Sequence, residues 1–208
     1  MINADANEHL LRQQSMQAFF QEILDEVISR QAISPSHETT LYISELLAGF
    51  SHSTQLFTQS ETGADLKPLA LMYADAVEAS TEAERDRALR HLADVALFIS
   101  GLFPQSLSRS LVDVDYYINM GGSAYGFLAQ SSLISQRIGT YKQVFHELSS
   151  YFAQFVDVLA ELADNTSLRN DGDVLRLYEI WLCSGSKNAM RKLNKLGIRP
   201  LDVSRKTH

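Results

Sequence analysis

Residues 91–130, HLADVALFISGLFPQSLSRSLVDVDYYINMGGSAYGFLAQ, decide how the chain reads. In the first half, Leu89, Leu92, Ala93, Ala96, Ile99 and Phe103 recur on one helical face, while Val95, Phe98 and Leu102 cover the opposite side. A helix that is apolar all round is packed on several sides and belongs in the interior. Pro104 stops it, because proline has no N–H to donate and its ring clashes with the preceding turn. A turn over residues 101–108 leads to the second half. There Val114, Ile118, Tyr125 and Leu128 make one stripe, and Tyr116, Met120 and Phe127 another. Gly122 and Gly126 lie one turn apart, with Ala129 beside them. Each glycine costs a helix interior about 1 kcal/mol relative to alanine. The spacing therefore predicts a neighbouring helix packed closely against that face.

Outward from this pair the pattern stays helical. Met16, Phe19, Phe20, Ile23, Leu24, Val27 and Ile28 predict an amphipathic helix over 5–31. Ser34 is the expected N-cap of the next helix, with Pro35 in its first position. Residues 51–65, SHSTQLFTQSETGAD, predict a loop with at most one helical turn. Pro68 opens a short helix to about Glu78, and Thr81-Glu82-Ala83-Glu84 has capping-box form. A connector over 131–139 precedes one strong helix over 140–163. Asn170-Asp171-Gly172 is a turn before a further apolar helix, and a short basic helix ends at Gly197. No segment alternates with period two for long enough to suggest a sheet. The expected fold is all-α: one domain over residues 1–208, a bundle of about eight helices around a central buried pair, with 198–208 a loosely ordered basic tail.

Composition narrows the class. With 208 residues and 45% hydrophobic content the chain builds one substantial core, and four prolines and ten glycines do not suit a loop-rich chain. The single Cys183 excludes an internal disulfide and suits a reducing compartment. The first residues, MINADANEHLLRQQ, lack a signal peptide's basic start and apolar run. The longest uncharged run, 95–108, falls short of the roughly 20 residues that span a bilayer. The expectation is a cytoplasmic protein without a membrane partner. Charge is uneven: residues 186–208 hold seven Lys or Arg against one acid, on a chain of net charge −7. An acidic body argues against nucleic acid, whose binding rests on phosphate neutralisation, apart from a contact at the basic end.

Candidate sites are few. Asp113, Asp115, Tyr116 and Tyr117, with Tyr125 further along, place carboxylates beside phenols, a set suited to a cation or a polar ligand. The structural alternative has Asp113 capping the helix and the tyrosines filling core. His91 and Asp94 share a helix face, and His146 lies on another helix beside Glu147. Ser186, Lys187 and Arg191 at the start of the basic helix suit an anion, through free N–H groups and added charge. The plainer reading of that segment is the solvated face of an amphipathic helix. No Glu-x-x-His pair, HExxH, CxxC or calcium loop occurs, so no metal and no cofactor are expected. Gly121-Gly122-Ser123-Ala124-Tyr125 is not a nucleophile elbow, since its last position is tyrosine. The leading expectation is a non-catalytic protein-interaction or regulatory module, acting as a homodimer or with another protein partner. The alternative is a small-ligand or cofactor-binding helical protein whose pocket holds His91, Asp113, Asp115, Tyr116, Tyr117, Tyr125 and His146.

Overall fold

The computed structural model describes residues 2–31, 33–52, 57–60, 63–103, 107, 113–131, 139–165 and 191. Among these the body is all-helical, with seven helices: α1 (Ile2–Arg30), α2 (His37–His52), α3 (Leu69–Glu78), α4 (Glu82–Leu102), α5 (Val114–Gln130), α6 (Gly139–Ser150) and α7 (Phe152–Asn165). The expected turn and helices after residue 166 lie outside the described residues, Arg191 excepted.

Helix α4 is where the apolar pattern of residues 91–103 is realised. Every residue from Leu92 to Leu102 except Asp94 is buried, as an all-round apolar helix requires. It packs on α3, α5 and α7. Its start is the expected capping box: the Thr81 hydroxyl accepts from the Glu84 N–H at 3.2 Å. The Glu84 carboxylate accepts in return from the Ser80 N–H, one residue ahead of the usual partner, at 3.1 Å. Helix α4 ends at Leu102, ahead of Pro104.

Close crossings follow the glycines: of the two singled out by spacing Gly126 is such a position and Gly122 is not, and Gly101 and Gly121 are tighter still. A β-carbon at Gly101 would lie 2.6 Å from the Leu159 β-carbon of α7. One at Gly121 would collide with the Phe152 ring and lie 2.9 Å from the Ala96 β-carbon. At Gly126 it would meet the Ser149 Oγ at 2.9 Å, whereas Gly122 has ordinary space, with nothing nearer than 3.6 Å. Gly122 serves the crossing through its carbonyl, which accepts from the Ser149 hydroxyl at 2.8 Å.

Three further expectations are corrected. The N-cap of α2 is Ser36, not Ser34: the Ser36 carbonyl accepts from the Thr39 and Thr40 N–H groups, and its hydroxyl lies 3.4 Å from the Thr39 N. The predicted single helix over 140–163 is interrupted at Tyr151, just after the Ser149-Ser150 pair, a common site of helix bending. Backbone bonds from Tyr151 to Glu147 and from Phe155 to Tyr151 bridge the break. It lets α6 pack on α2 and α5 while α7 packs on α1 and α4. Thirdly, the predicted loop contains a two-stranded antiparallel hairpin, β1 (Phe57–Ser60) and β2 (Gly63–Leu66), with Ser60 opposite Gly63. Strands of four residues are too short to show a period-two pattern in sequence.

Candidate functional site

The polar centre of the described structure is a carboxylate inside the bundle. Asp94 lies on α4 amid buried Ala93, Val95 and Leu92. Its Oδ1 accepts from the Tyr42 hydroxyl of α2 at 2.5 Å and from the Tyr125 hydroxyl of α5 at 2.6 Å. Its Oδ2 lies 3.7 Å from the Nε of Arg90, one turn earlier on α4. The Arg90 Nε donates to the Tyr42 oxygen at 3.0 Å. The guanidinium carbon sits 5.0 Å from the Tyr42 ring centre and 5.7 Å from that of Tyr141 on α6. Three helices thus meet on one acid, and α6 joins the cluster through Tyr141 beside Arg90. Phe145 completes the walls, stacked on Tyr125 at 5.6 Å and edge-on to Tyr42 at 5.7 Å.

Burial dominates the electrostatics here. It pushes the Asp94 carboxyl up to about 6, against the opposing pull of Tyr125, Tyr42 and Arg90. Burial, and then the Asp94 charge, push the Tyr42 and Tyr125 phenols well above their ordinary value, so both stay protonated as donors. For Arg90, burial works against the charge, and Tyr42 and Asp94 outweigh it, so the guanidinium remains fully charged.

The site residues expected from sequence are spread along the fold. Tyr125 is fully buried and reaches Asp94. Asp113 is the N-cap of α5, its Oδ1 accepting from the Tyr116 N–H at 3.0 Å. Asp115 is exposed, so its charge is met by water. Tyr116 is half-buried and Tyr117 buried, their rings edge to face at 6.0 Å. Burial, and then Tyr116, raise the Tyr117 phenol. From Tyr117 to Tyr125 is eight residues of helix, about 12 Å along its axis, so the start of α5 and the Asp94 cluster are separate places. His91 is half-buried on α4, and burial and then the Lys67 ammonium push its imidazole down. His146 is exposed, hydrogen-bonded to the Ser150 hydroxyl at 3.0 Å, and lines an open groove of about 530 Å³ with Lys142, Glu147 and Tyr151. Ser186 and Lys187 lie outside the described residues, and Arg191 is exposed. Among the described residues no three His, Cys, Asp or Glu side chains converge as metal ligands, and no helix is long and apolar enough to cross a membrane.

Sequence spacing missed two arrangements. Tyr42 and Arg90 share the Asp94 cluster, and only the i, i+4 spacing of Arg90 and Asp94 hinted at it. Glu147 of α6 closes the start of α2: its Oε2 accepts from the Ser36 N–H at 2.8 Å, the Ser36 hydroxyl at 3.0 Å and the Thr39 hydroxyl at 2.8 Å. Gln143 donates to its other oxygen at 2.9 Å. Burial opposes the charge on Glu147, but the bonds from Gln143, Ser36 and Thr39 outweigh it, so its carboxyl sits below the ordinary range. Comparison with protein-family models, with curated proteins and with solved structures finds no match to this chain.

Proposed function

We propose that the protein is a non-catalytic interaction module that works as a homodimer, paired through the outward face of α3. The observation that carries this reading is the surface of that helix. Leu69, Met72 and Ala76 are buried towards the body, yet Leu71, Tyr73 and Val77 are 54%, 50% and 67% exposed. Ala70, Tyr73, Ala74 and Val77 fall at i, i+3, i+4 and i+7, so a second apolar stripe faces away from the core. Adjacent large apolar side chains left in water mark an interaction surface more often than they occur by chance.

A second copy suits this stripe. Two copies running antiparallel about a two-fold axis set the Ala70–Val77 stripe of one against that of the other, while Lys67 keeps its bridge to Asp75 within its own chain. Tyr73 of each copy then packs over the small Ala70 and Ala74 of the other. A ligand pocket at the centre of the bundle has less support, because Tyr42, Tyr125 and Phe145 fill the space around Asp94 with their own rings.

Sedimentation at micromolar concentration tests the reading. A dimer is expected for the unmodified chain and a monomer of unchanged helicity for Tyr73→Glu. A chain that is monomeric throughout that range overturns it.

A further inference from the structure

Arg90 is held more rigidly than its place at the surface requires. The side chain is 45% exposed, yet its guanidinium is fixed at three points. Nε donates to the Tyr42 hydroxyl, and the planar group lies against the Tyr42 and Tyr141 rings. The half-buried Asp94 carboxylate lies on the same side, its Oδ2 3.7 Å from Nε. The edge turned inward is therefore the Nε edge. The two terminal nitrogens make no hydrogen bond among the described residues. A long side chain ordinarily loses rotamer freedom when it binds something, and here that loss has already been incurred in the unbound protein.

We propose that Arg90 is a docking point for a carboxylate of an acidic segment on a protein partner, taken end-on by its two terminal nitrogens. The geometry favours a carboxylate because its two coplanar oxygens match the planar fork. Charge favours it over phosphate. Asp94 already compensates part of the Arg90 charge, and a phosphate dianion needs more positive charge than one compensated guanidinium offers. A second cation lies one turn earlier on the same helix: Arg87 is exposed, with its Nε donating to the Ala83 carbonyl at 3.2 Å. Residues three apart on a helix are surface neighbours, so two acids close together on a partner find a cation each. Tyr141, 37% exposed, supplies an apolar flank to the acid's methylene groups. This surface is on α4 and α6, apart from the α3 stripe, and does not depend on the chain being a dimer.

The test is an NMR titration of the full chain that follows the Arg90 Nε–H signal, with a capped Glu-Glu dipeptide, its Gln-Gln counterpart and inorganic phosphate as probes. The Glu-Glu peptide is expected to shift the Arg90 signal saturably in the millimolar range, with the Gln-Gln peptide at least about tenfold weaker. Arg90→Lys keeps the charge and loses the fork, so its affinity for the Glu-Glu peptide, followed through the backbone amide signals of α4 around residue 90 in both proteins, should fall about tenfold. Tyr141→Leu removes one stacking face and should weaken binding by a smaller factor in a protein whose Arg90 is untouched. Equal shifts from both peptides, or none, overturn the proposal. A response to phosphate stronger than to Glu-Glu overturns the assignment to a carboxylate. Tyr73→Glu should leave the titration unchanged whatever it does to the oligomeric state.

Discussion

Asp94 and Glu147 are both carboxylates tying helices together, and the protein treats them in opposite ways. Asp94 takes two phenol hydroxyls and an arginine in the interior, and its carboxyl is pushed up to about 6. Glu147 takes one backbone and two hydroxyl donors on one oxygen at the rim, and its carboxyl is drawn down. The number of donors is similar, so donors do not decide the difference. Depth does. At the rim, water still shares the charge and each added donor counts in favour of ionisation. Inside, the loss of water costs more than two phenols and a guanidinium return.

The largest expected effect comes from removing the inner acid. Asp94→Ala leaves the Tyr42 and Tyr125 hydroxyls and the Arg90 charge without their acceptor, and urea denaturation should show a loss of about 3–5 kcal/mol. A loss under about 1 kcal/mol would mean that the cluster is not holding α2, α4 and α5 together. The next effect is on pH dependence. The native carboxyl titrates near 6 and the unfolded one near 3.8. Between those values the native state holds more protons, so this group's contribution to stability rises as pH falls, by about 2–3 kcal/mol over the window. Asp94→Asn keeps an oxygen acceptor for both phenols and carries no charge. It should equal or exceed the parent in stability at pH 8, and its advantage should vanish by pH 4. An Asn variant that is less stable at pH 8 would contradict the dominance of burial.

Glu147→Gln should behave with the reverse sign. A depressed carboxyl adds stability above its unfolded value and loses it as pH falls through the native one. The substitution should cost about 1–2 kcal/mol at pH 7 and progressively less in acid, as followed by thermal melts across pH. The smallest effect sharpens the rim alone. Thr39→Val removes one of the three donors to Oε2 with little change of shape, and about 0.5–1 kcal/mol should be lost. A larger loss would show that the donors act as one network.

Much of the helical layout was legible because local signals carry it. Thr81 with Glu84, Pro68 and Asp113 each mark a helix start through chemistry that acts within one turn. The all-round apolar run of α4 announces its burial in the same way. The break at Tyr151 was hidden, since apolar residues keep their helical spacing on both sides of it. The hairpin was hidden because its strands pair over only four residues each. The Asp94 cluster joins residues 31 and 52 positions apart from Asp94, a relation that no periodicity encodes. Asp115 and Asp94 each interrupt an apolar pattern, yet Asp115 is exposed whereas Asp94 accepts from Tyr42 and Tyr125 of neighbouring helices.

The joining of α1 to α7 sets a schedule for synthesis. Gln31 and Arg30 at the end of α1 meet Glu161, 130 residues after Gln31, at 2.6 Å and 3.5 Å respectively. A nascent chain that has made α1 and α2 can close the contact between them at once, but the face of α1 that meets α7 has no cover until residue 162 has left the ribosome. At roughly 5–20 residues per second that is an interval of many seconds. Helix α1 is thus among the last to be sealed, and it is there that a chaperone would find apolar surface for longest.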